Sequence, residues 1–297
     1  MFTKIQNKPF VWISPIIIFL AIFYFYPMFE VFRLSFSNAT LTSPANSYSF
    51  NNYIKLFTDE NFYSILKTTF TFVFFSTAFQ VLVGLIIALS IDRGINRNLF
   101  GPVIVRLVVL SCWILPGVVV GLLWKIMFAE FNFGLINYIL DLLFGKRLPF
   151  LSSPFYAMMS NIIANIWFGT AFSMLILFSG LQSLPAQLYE AAKIDGASSW
   201  QEFFYITLPQ LKPFIFINVS LATIYTFNTF GLIMVLTRGG PGISTEVLSM
   251  YIYRKIFETL DVSKGSAVAV ILLLINLTIA VVYYRFLIGD TNKAELK

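Results

Sequence analysis

The stretch Glu190–Pro209, EAAKIDGASSWQEFFYITLP, is polar and helix-prone, and it separates two long apolar runs of the chain. In the whole chain, 58% of the 297 residues are hydrophobic and only 11% are charged, with a mean hydropathy of +0.80. A soluble globular domain usually has about 25% charged residues, because its surface faces water. The composition therefore indicates an integral membrane protein, in which the polar stretch leaves the lipid.

Six apolar runs are long enough to cross a bilayer as helices, which takes roughly 20 residues each. They extend over about Phe10–Phe29, Thr69–Ile91, Val103–Phe128, Phe155–Leu181, Pro213–Leu236 and Ala267–Leu287. We predict an all-α membrane protein with six transmembrane helices in a single domain, 1–297. The first run follows Lys4 and Lys8 and has a cleaved signal peptide as its alternative. A retained span is favoured, because the apolar core of a signal peptide is usually only about 7–15 residues.

The orientation cannot be taken from a simple count of positive charges. With both termini inside, the 20 Lys and Arg residues divide equally between inner and outer segments, so the positive-inside rule gives no answer by number alone. The inner charges crowd the termini and the short loop around Arg93 and Arg97, which favours termini inside. The net charge of +6 includes no basic run, so it indicates contact with anionic lipid and not with nucleic acid.

The residues that are missing exclude several function classes. No Asp or Glu lies well inside any of the six runs and the chain has no His, which disfavours a carrier coupled to protons or sodium. Gly145-Lys146 lacks the spacing of a phosphate-binding loop. We find no metal-ligand cluster and no nucleophile–base pair. The sequence therefore predicts a protein that is not an enzyme, and any pumping energy must come from another polypeptide.

The polar stretch predicts a helical hairpin. Pro185 suits the first turn of a helix, and Gly196 supplies the left-handed residue that ends many helices. Ser198 and Ser199 are N-cap candidates, each with Gln or Glu three residues on, the spacing of a capping box. A second short helix follows, and we expect Pro209 to close it. Such a hairpin either docks into the groove of a partner or covers the ends of the spans.

The same stretch resembles the EAA motif of the membrane subunits of ATP-binding-cassette (ABC) importers, which reads E-A-A, three residues, G, nine residues, I-x-L-P. The seven fixed positions occur without any change in spacing, at Glu190, Ala191, Ala192, Gly196, Ile206, Leu208 and Pro209. The resemblance implies a type I ABC importer permease fold. In it this hairpin, with Asp195 beside the glycine, is the coupling helix between spans four and five that contacts the ATPase. Loop 182–212 and both termini would then be cytoplasmic, and loop 237–266 extracytoplasmic.

Longer stretches resemble the carbohydrate-importer permeases, which take up maltose-type oligosaccharides, other glycosides or glycerol-3-phosphate. These stretches are FNNYIKLFTDENFYSILKTTFTF, SLPAQLYEAAKIDGAS and LTRGGPGISTEVLSMYIYRKIFE, starting at residues 50, 183 and 236. Two positions depart from the family pattern. Arg238 stands where Gly or Asn is common, and Lys67-Thr68 where Asn-Thr is common. Both departures leave the substrate and the docking of a receptor open.

A path for sugar needs hydrogen-bonding groups beside flat apolar faces, because sugars present both kinds of surface. Similarity to the maltose-type permeases singles out the positions of Phe168, Gly169, Phe172, Thr226 and Thr229 as sugar-contacting. Asn165 and Asn228 add amide groups in the same two spans. The alternative for each residue is interhelical packing and hydrogen bonding, which is common for Asn, Thr and Gly in membrane bundles.

The resemblance implies a permease subunit that forms half of a translocation pore for a sugar or oligosaccharide. Its partners would be a second homologous permease, two ATPase subunits and an extracytoplasmic solute-binding protein, in a bacterial or archaeal cytoplasmic membrane. This chain would bind no cofactor, because ATP and magnesium belong to the ATPase. The alternatives are a permease for a non-sugar solute such as glycerol-3-phosphate or an amino acid, an ion-coupled secondary carrier, or a non-transporting membrane scaffold.

Overall fold

The computed structural model describes residues 9–130 and 134–295, and α-helices dominate it, which confirms the predicted all-α class. The helices are α1 (Pro9–Leu20), α2 (Tyr26–Ser35), α3 (Asn51–Phe57), α4 (Glu60–Asn96), α5 (Gly101–Ile114), α6 (Gly117–Met127), α7 (Leu135–Phe144), α8 (Pro154–Gln182), α9 (Ala186–Ile194), α10 (Ser199–Glu202), α11 (Leu208–Phe227), α12 (Gly231–Leu236), α13 (Leu248–Tyr253) and α14 (Val262–Glu295). Within the described residues, π-helical turns at Ala21–Phe25 and Phe203–Thr207 join neighbouring helices, and one at Arg254–Glu258 extends α13. Lys4 and Lys8 lie outside the described residues.

Four helical segments of the described chain are long and apolar enough to cross a membrane. They are Trp12–Ser35, Glu60–Asn96, Pro154–Gln182 and Val262–Arg285. A fifth crossing is present if α5 and α6 count as one span, although the two helices meet at an angle of 105°. The chain is therefore a multi-pass membrane protein, and the number six stays a prediction.

The predicted run Val103–Phe128 is not one continuous helix. Its break lies at Leu115, whose ψ of 135° is extended, followed by Pro116 with φ −59° and ψ 141°. The ring of a proline disfavours the helical conformation of the residue before it, so α5 ends there. Proline then serves as the N-cap of α6. The sequence analysis missed the bend because hydropathy does not register a change of direction.

The predicted run Pro213–Leu236 is also divided, into the 20-residue helix α11 and the short helix α12. Polar residues within α11 are buried inside the protein, with Asn218, Thr223 and Thr226 exposed by 0%, 9% and 3%. These polar residues lower the mean hydropathy of α11. They are tolerated because they face protein, and a helix with such a side needs less apolar surface than one surrounded by lipid.

The chain divides into two compact units, of which the first comprises Met1–Tyr63 and Tyr251–Leu274. In this unit the carbonyl oxygen of Ala39 accepts hydrogen bonds from the backbone N–H and the hydroxyl of Ser263, at 3.1 and 2.8 Å. The backbone N–H of Leu41 donates to the carbonyl of Leu260 at 2.9 Å. These bonds hold the beginning of α14 against the segment that follows α2.

The second unit comprises Ser64–Met250 and Ile275–Lys297. In it α8 packs closely against α4 and α11 through glycines. A Cβ atom at Gly84 of α4 would lie 2.6 Å from the Cβ of Ser173, and one at Gly180 would lie 2.6 Å from the ring of Phe214. Next to these contacts is an apolar core of buried residues, Ala88, Ile91, Met174, Leu177, Phe178, Leu181 and Leu211. Small residues thus allow three helices to meet at backbone distance, as is typical of membrane bundles.

The close packing at Gly84 leads to a testable prediction. Gly84→Leu should lower the unfolding temperature of the purified protein in detergent by several degrees, because overpacking costs about 1–3 kcal/mol. In a domain of this size 1 kcal/mol corresponds to about 2–4 °C. Gly101→Ala is the matched control, since a Cβ there meets no atom within 4 Å. An unchanged unfolding temperature in Gly84→Leu would contradict the close approach of α4 and α8.

Candidate functional site

The polar stretch forms a helical hairpin whose first arm is α9. Pro185 is its N-cap residue, with φ −64° and ψ 124°, and Asp195 follows its last residue. Gly196 then has φ +75°, a left-handed conformation that glycine adopts readily and most L residues disfavour. No atom lies within 4 Å of a Cβ placed at Gly196. The glycine is therefore required by the backbone turn and not by packing.

The second arm begins with the capping box that the sequence predicted at Ser198. The Ser198 hydroxyl accepts a hydrogen bond from the Gln201 N–H at 3.4 Å. In return the Gln201 side-chain oxygen accepts one from the Ser198 N–H at 2.7 Å. The bonds satisfy two N–H groups that an uncapped helix end would leave unpaired.

The prediction that Pro209 closes the second helix is wrong. Ser199–Glu202 continues through the π-helical turn Phe203–Thr207 directly into α11, and Pro209 lies in the first turn of α11. In the π turn the Leu208 N–H donates to the carbonyl of Phe203, five residues back. This wider turn accommodates Pro209, whose missing N–H costs little at the start of a helix.

A hydrogen bond that the sequence analysis missed joins the two arms of the hairpin. The hydroxyls of Tyr189 and Thr207 lie 2.9 Å apart, and Thr207 is 4% exposed. Burial raises the pKa of the Tyr189 phenol above its ordinary value. Tyr189 precedes E-A-A and Thr207 is the variable position of I-x-L-P. The bond therefore fixes one half of the motif to the other.

The hairpin exposes a set of large apolar side chains. Ile194, Trp200, Phe204 and Tyr205 are exposed by 87%, 73%, 52% and 79%. The rings of Trp200 and Phe204 are stacked at 5.9 Å. Exposed apolar groups beside polar ones are typical of a protein–protein contact surface. Among the predicted coupling residues, Glu190 and Ala191 are exposed beside them, and Ile206 lies in the π turn.

A cleft of about 640 Å³ lies between the hairpin and the end of α4. Both signs of charge line it, from Asp92, Arg93, Arg97, Glu190, Lys193 and Glu202. Gln182, at the end of α8, donates a hydrogen bond to Asp92 at 2.8 Å. The base of the hairpin is thereby tied to α4.

At the other end of α11, a smaller cavity of about 50 Å³ contains most of the predicted substrate-path residues. Its lining comes from α4 and α5 (Gln80, Trp113), from α8 (Asn165, Phe168, Gly169, Phe172), and from α11 and the segment after it (Ala222, Tyr225, Thr226, Thr229). Six of the seven predicted residues are in this set. Asn228 is not, and its amide donates to the carbonyl of Ile224 at 2.7 Å.

Two polar contacts shape the cavity. The Gln80 amide donates to the carbonyl of Asn165 at 2.9 Å. A Cβ atom at Gly169 would lie 2.4 Å from the Cδ of Gln80, so the amide occupies the space that a side chain at Gly169 would need. Trp113, Phe172 and Tyr225 line the cavity as neighbouring rings, with centroid distances of 5.7 and 6.1 Å.

Sequence reasoning missed Gln80 and Trp113, which lie on α4 and α5, as members of this set. Gln80 carried a usable signal, because it is a polar residue in the middle of the apolar run Thr69–Ile91 and such residues face protein. Trp113 carried none, since its place depends on the bend between α5 and α6. The grouping arises from the packing of four helices, which spacing along one chain does not report.

The apolar helices and the polar hairpin between α8 and α11 define a class of protein, a multi-pass helical membrane protein. Residues 80–287 match the family described as "Binding-protein-dependent transport system inner membrane component". The chain belongs to this family. Its members are the permease components of ABC importers and are not catalytic, because ATP hydrolysis takes place in a separate ATPase subunit.

Relatives and solved structures agree with this assignment. The chain is 32% identical to the trehalose/maltose transport system permease protein MalF of Thermococcus litoralis, covering 92% of this chain and 91% of that protein. It is 33% identical to the sulfoquinovosyl glycerol transport system permease protein SmoG of Agrobacterium fabrum, covering 93% and 88%. It is also similar to a chain of a bacterial ABC transporter involved in the import of the acidic polysaccharide alginate. There the TM-score is 0.80 and the identity 25%, over 96% of this chain and 98% of that one.

The bond between the hairpin arms can be tested by removing one hydroxyl. Tyr189→Phe should increase amide hydrogen exchange in residues 186–207 by about 2- to 10-fold, because a hydrogen bond contributes about 0.5–1.5 kcal/mol. Tyr205→Phe is the matched control, since Tyr205 is 79% exposed. Equal exchange in the two variants would show that the Tyr189–Thr207 bond does not hold the hairpin together.

Proposed function

We propose that this protein is the permease subunit of an ATP-driven sugar importer and that the hairpin transmits the work of a partner ATPase to the cavity. The observation that carries the proposal is the continuity of two helices. The chain of helical turns from Ser199 to Phe227 links the hairpin to Tyr225 and Thr226 of the cavity. On the other side α8 leads from Asn165 to Gln182, three residues before Pro185.

This continuity supports a mechanism of coupling. When the two ATPase subunits close on ATP, they would draw the coupling hairpins of the two permeases together. Helices have fixed length, so a displaced hairpin moves α11 as a unit. The Tyr189–Thr207 bond makes both arms follow. The walls of the cavity would then change their distance from those of the second permease, which switches the pore between outward-open and inward-open.

The size of the cavity supports the proposal that this chain supplies half of the pore. Ligand pockets usually have about 300–1,000 Å³, whereas this cavity has about 50 Å³. A second, homologous permease would supply the opposite wall. The family description names dependence on a binding protein, which supports delivery of the sugar by an extracytoplasmic solute-binding protein. In this arrangement hairpin and termini are cytoplasmic, and ATP and magnesium are bound by the ATPase.

A reconstitution experiment tests the proposal. The chain is co-expressed with its second permease and ATPase, purified, and placed in vesicles with the solute-binding protein. Sugar-dependent ATP hydrolysis and uptake should appear together across a panel of oligosaccharides. Uptake without any ATPase would instead support an ion-coupled carrier. The absence of stimulation by every sugar, with stimulation by glycerol-3-phosphate, would support the non-sugar alternative.

The coupling role can be tested at the turn of the hairpin. Gly196→Pro should abolish uptake while the protein still inserts, because proline fixes φ near −65° and this position has φ +75°. Gly196→Asn is the matched control and should retain most of the uptake, since asparagine tolerates the left-handed conformation. Normal uptake in Gly196→Pro would remove the hairpin from the mechanism.

A further inference from the structure

We propose that the cavity accepts a neutral sugar ring in preference to an acidic one, and that Gln80 is a specificity-determining residue of this site. The inference rests on the proposed function and names the substrate class of the same cavity. It concerns the wall that this chain supplies. It also adds a helix, α4, that the sugar-contacting set taken from the family resemblance does not include.

The charge of the cavity wall carries the first half of the proposal. None of the described residues that line it is Lys, Arg, Asp or Glu. A carboxylate or sulfonate that leaves water for such a wall loses its hydration and gains no counter-charge, which is strongly unfavourable. Hydroxyl groups, in contrast, need only neutral donors and acceptors. The wall therefore matches an uncharged glycoside.

The aromatic residues support a ring-shaped ligand. Three neighbouring aromatic rings line the cavity, those of Trp113, Phe172 and Tyr225. The ring planes of Trp113 and Phe172 are inclined by 40°, and those of Phe172 and Tyr225 by 42°. Tyr225 is 68% exposed on this chain and Trp113 41% exposed, so their faces are open to a ligand or to the opposite wall. The C–H faces of a pyranose are apolar and flat, and such faces pack against aromatic rings.

Two buried amides supply the polar part of the recognition. Gln80 and Asn165 are each 3% exposed, yet both belong to the cavity lining. Gln80 donates one N–H to the backbone carbonyl of Asn165 at 2.9 Å. The side-chain NH₂ of Asn165 has no hydrogen-bond partner among the described residues. Buried amide groups without partners are unfavourable, and sugar hydroxyls that enter the cavity would satisfy them.

The glycine at position 169 explains why Gln80 reaches the cavity. With any larger residue there, the side chain would fall within 2.6 Å of the Cδ, Oε1 and Nε2 atoms of Gln80. Gly169 and Gln80 are therefore complementary, one supplying the space and the other the amide. This relation predicts that substitutions at the two positions are not additive.

The substrate class is tested with the reconstituted complex. ATP hydrolysis is measured with maltose and trehalose as neutral probes, and with alginate oligosaccharides and sulfoquinovosyl glycerol as acidic ones. Direct binding of each probe to the detergent-solubilised complex without the solute-binding protein separates selection by the cavity from selection by the receptor. Neutral probes should stimulate hydrolysis and bind, and acidic ones should do neither. An acidic probe that binds as well as a neutral one overturns the inference but leaves a sugar importer in place. If no probe of either class acts, the proposed function itself fails.

The role of Gln80 is tested by substitution. Gln80→Leu should raise the sugar concentration for half-maximal stimulation about tenfold, equivalent to about 1.4 kcal/mol. Gln80→Met is the second variant in case the branched side chain disturbs folding, which the unfolding temperature would reveal. Thr77→Val is the matched control, because Thr77 lies on the same helix, is 5% exposed and does not line the cavity.

Gly169→Ala completes a double-mutant cycle with Gln80→Leu. Alone, Gly169→Ala should weaken sugar stimulation, because it displaces the Gln80 amide. In the Gln80→Leu background it should add little, since the amide is already gone. Fully additive effects, or an unchanged half-maximal concentration in Gln80→Leu and Gln80→Met, would show that Gln80 does not contact the sugar.

Discussion

Lipid offers no hydrogen-bond partner to a polar side chain, and this constraint determines where the polar residues of α4, α8 and α11 lie. Several satisfy themselves within their own helix. Thr170 donates to the carbonyl of Ile166 at 2.7 Å and Thr223 to that of Val219 at 2.6 Å. Gln80 crosses to the neighbouring helix. Polar residues thus lie where helices pack against one another. A cavity between such helices is lined, among the described residues, by neutral amides and hydroxyls and not by charged side chains.

The same constraint connects the cavity with the hairpin. A helix in lipid must keep its backbone hydrogen bonds. Both α8 and α11 run without interruption from the cavity to the residues at which the hairpin begins. The π turn at Phe203–Thr207 lets the chain pass from hairpin to span without the break that Pro209 predicts. On one side, continuous helical structure thus links the hairpin to the cavity, and on the other side only residues 183–185 separate α8 from α9.

The sequence predicted those features that depend on residues close together in the chain, and it did not predict those that depend on distant residues or on backbone geometry. The capping box at Ser198 and the turn at Gly196 depend on residues three or four positions apart, and the structure confirms both predictions. The all-helical class followed from composition. The bend at Pro116, the continuation through Pro209 and the bond between Tyr189 and Thr207 depend on backbone geometry or on residues 18 positions apart. Hydropathy and spacing carry no information about these.

Arg238, which departs from the residues expected by family resemblance, lies at a position with an unusual backbone conformation. Arg238 has φ +54°, a conformation in which Gly is unstrained and Asn is tolerated. These are the two residues that the resemblance to carbohydrate-importer permeases leads us to expect at this position. An arginine there accepts strain of about 1–2 kcal/mol. Strained residues persist where the surrounding structure enforces the conformation. Here Thr237 and Thr245 do so, with hydroxyls 2.8 Å apart and Asn161 donating to Thr237 at 3.0 Å. The bond from Asn161 ties this loop to α8, one of the helices that wall the cavity.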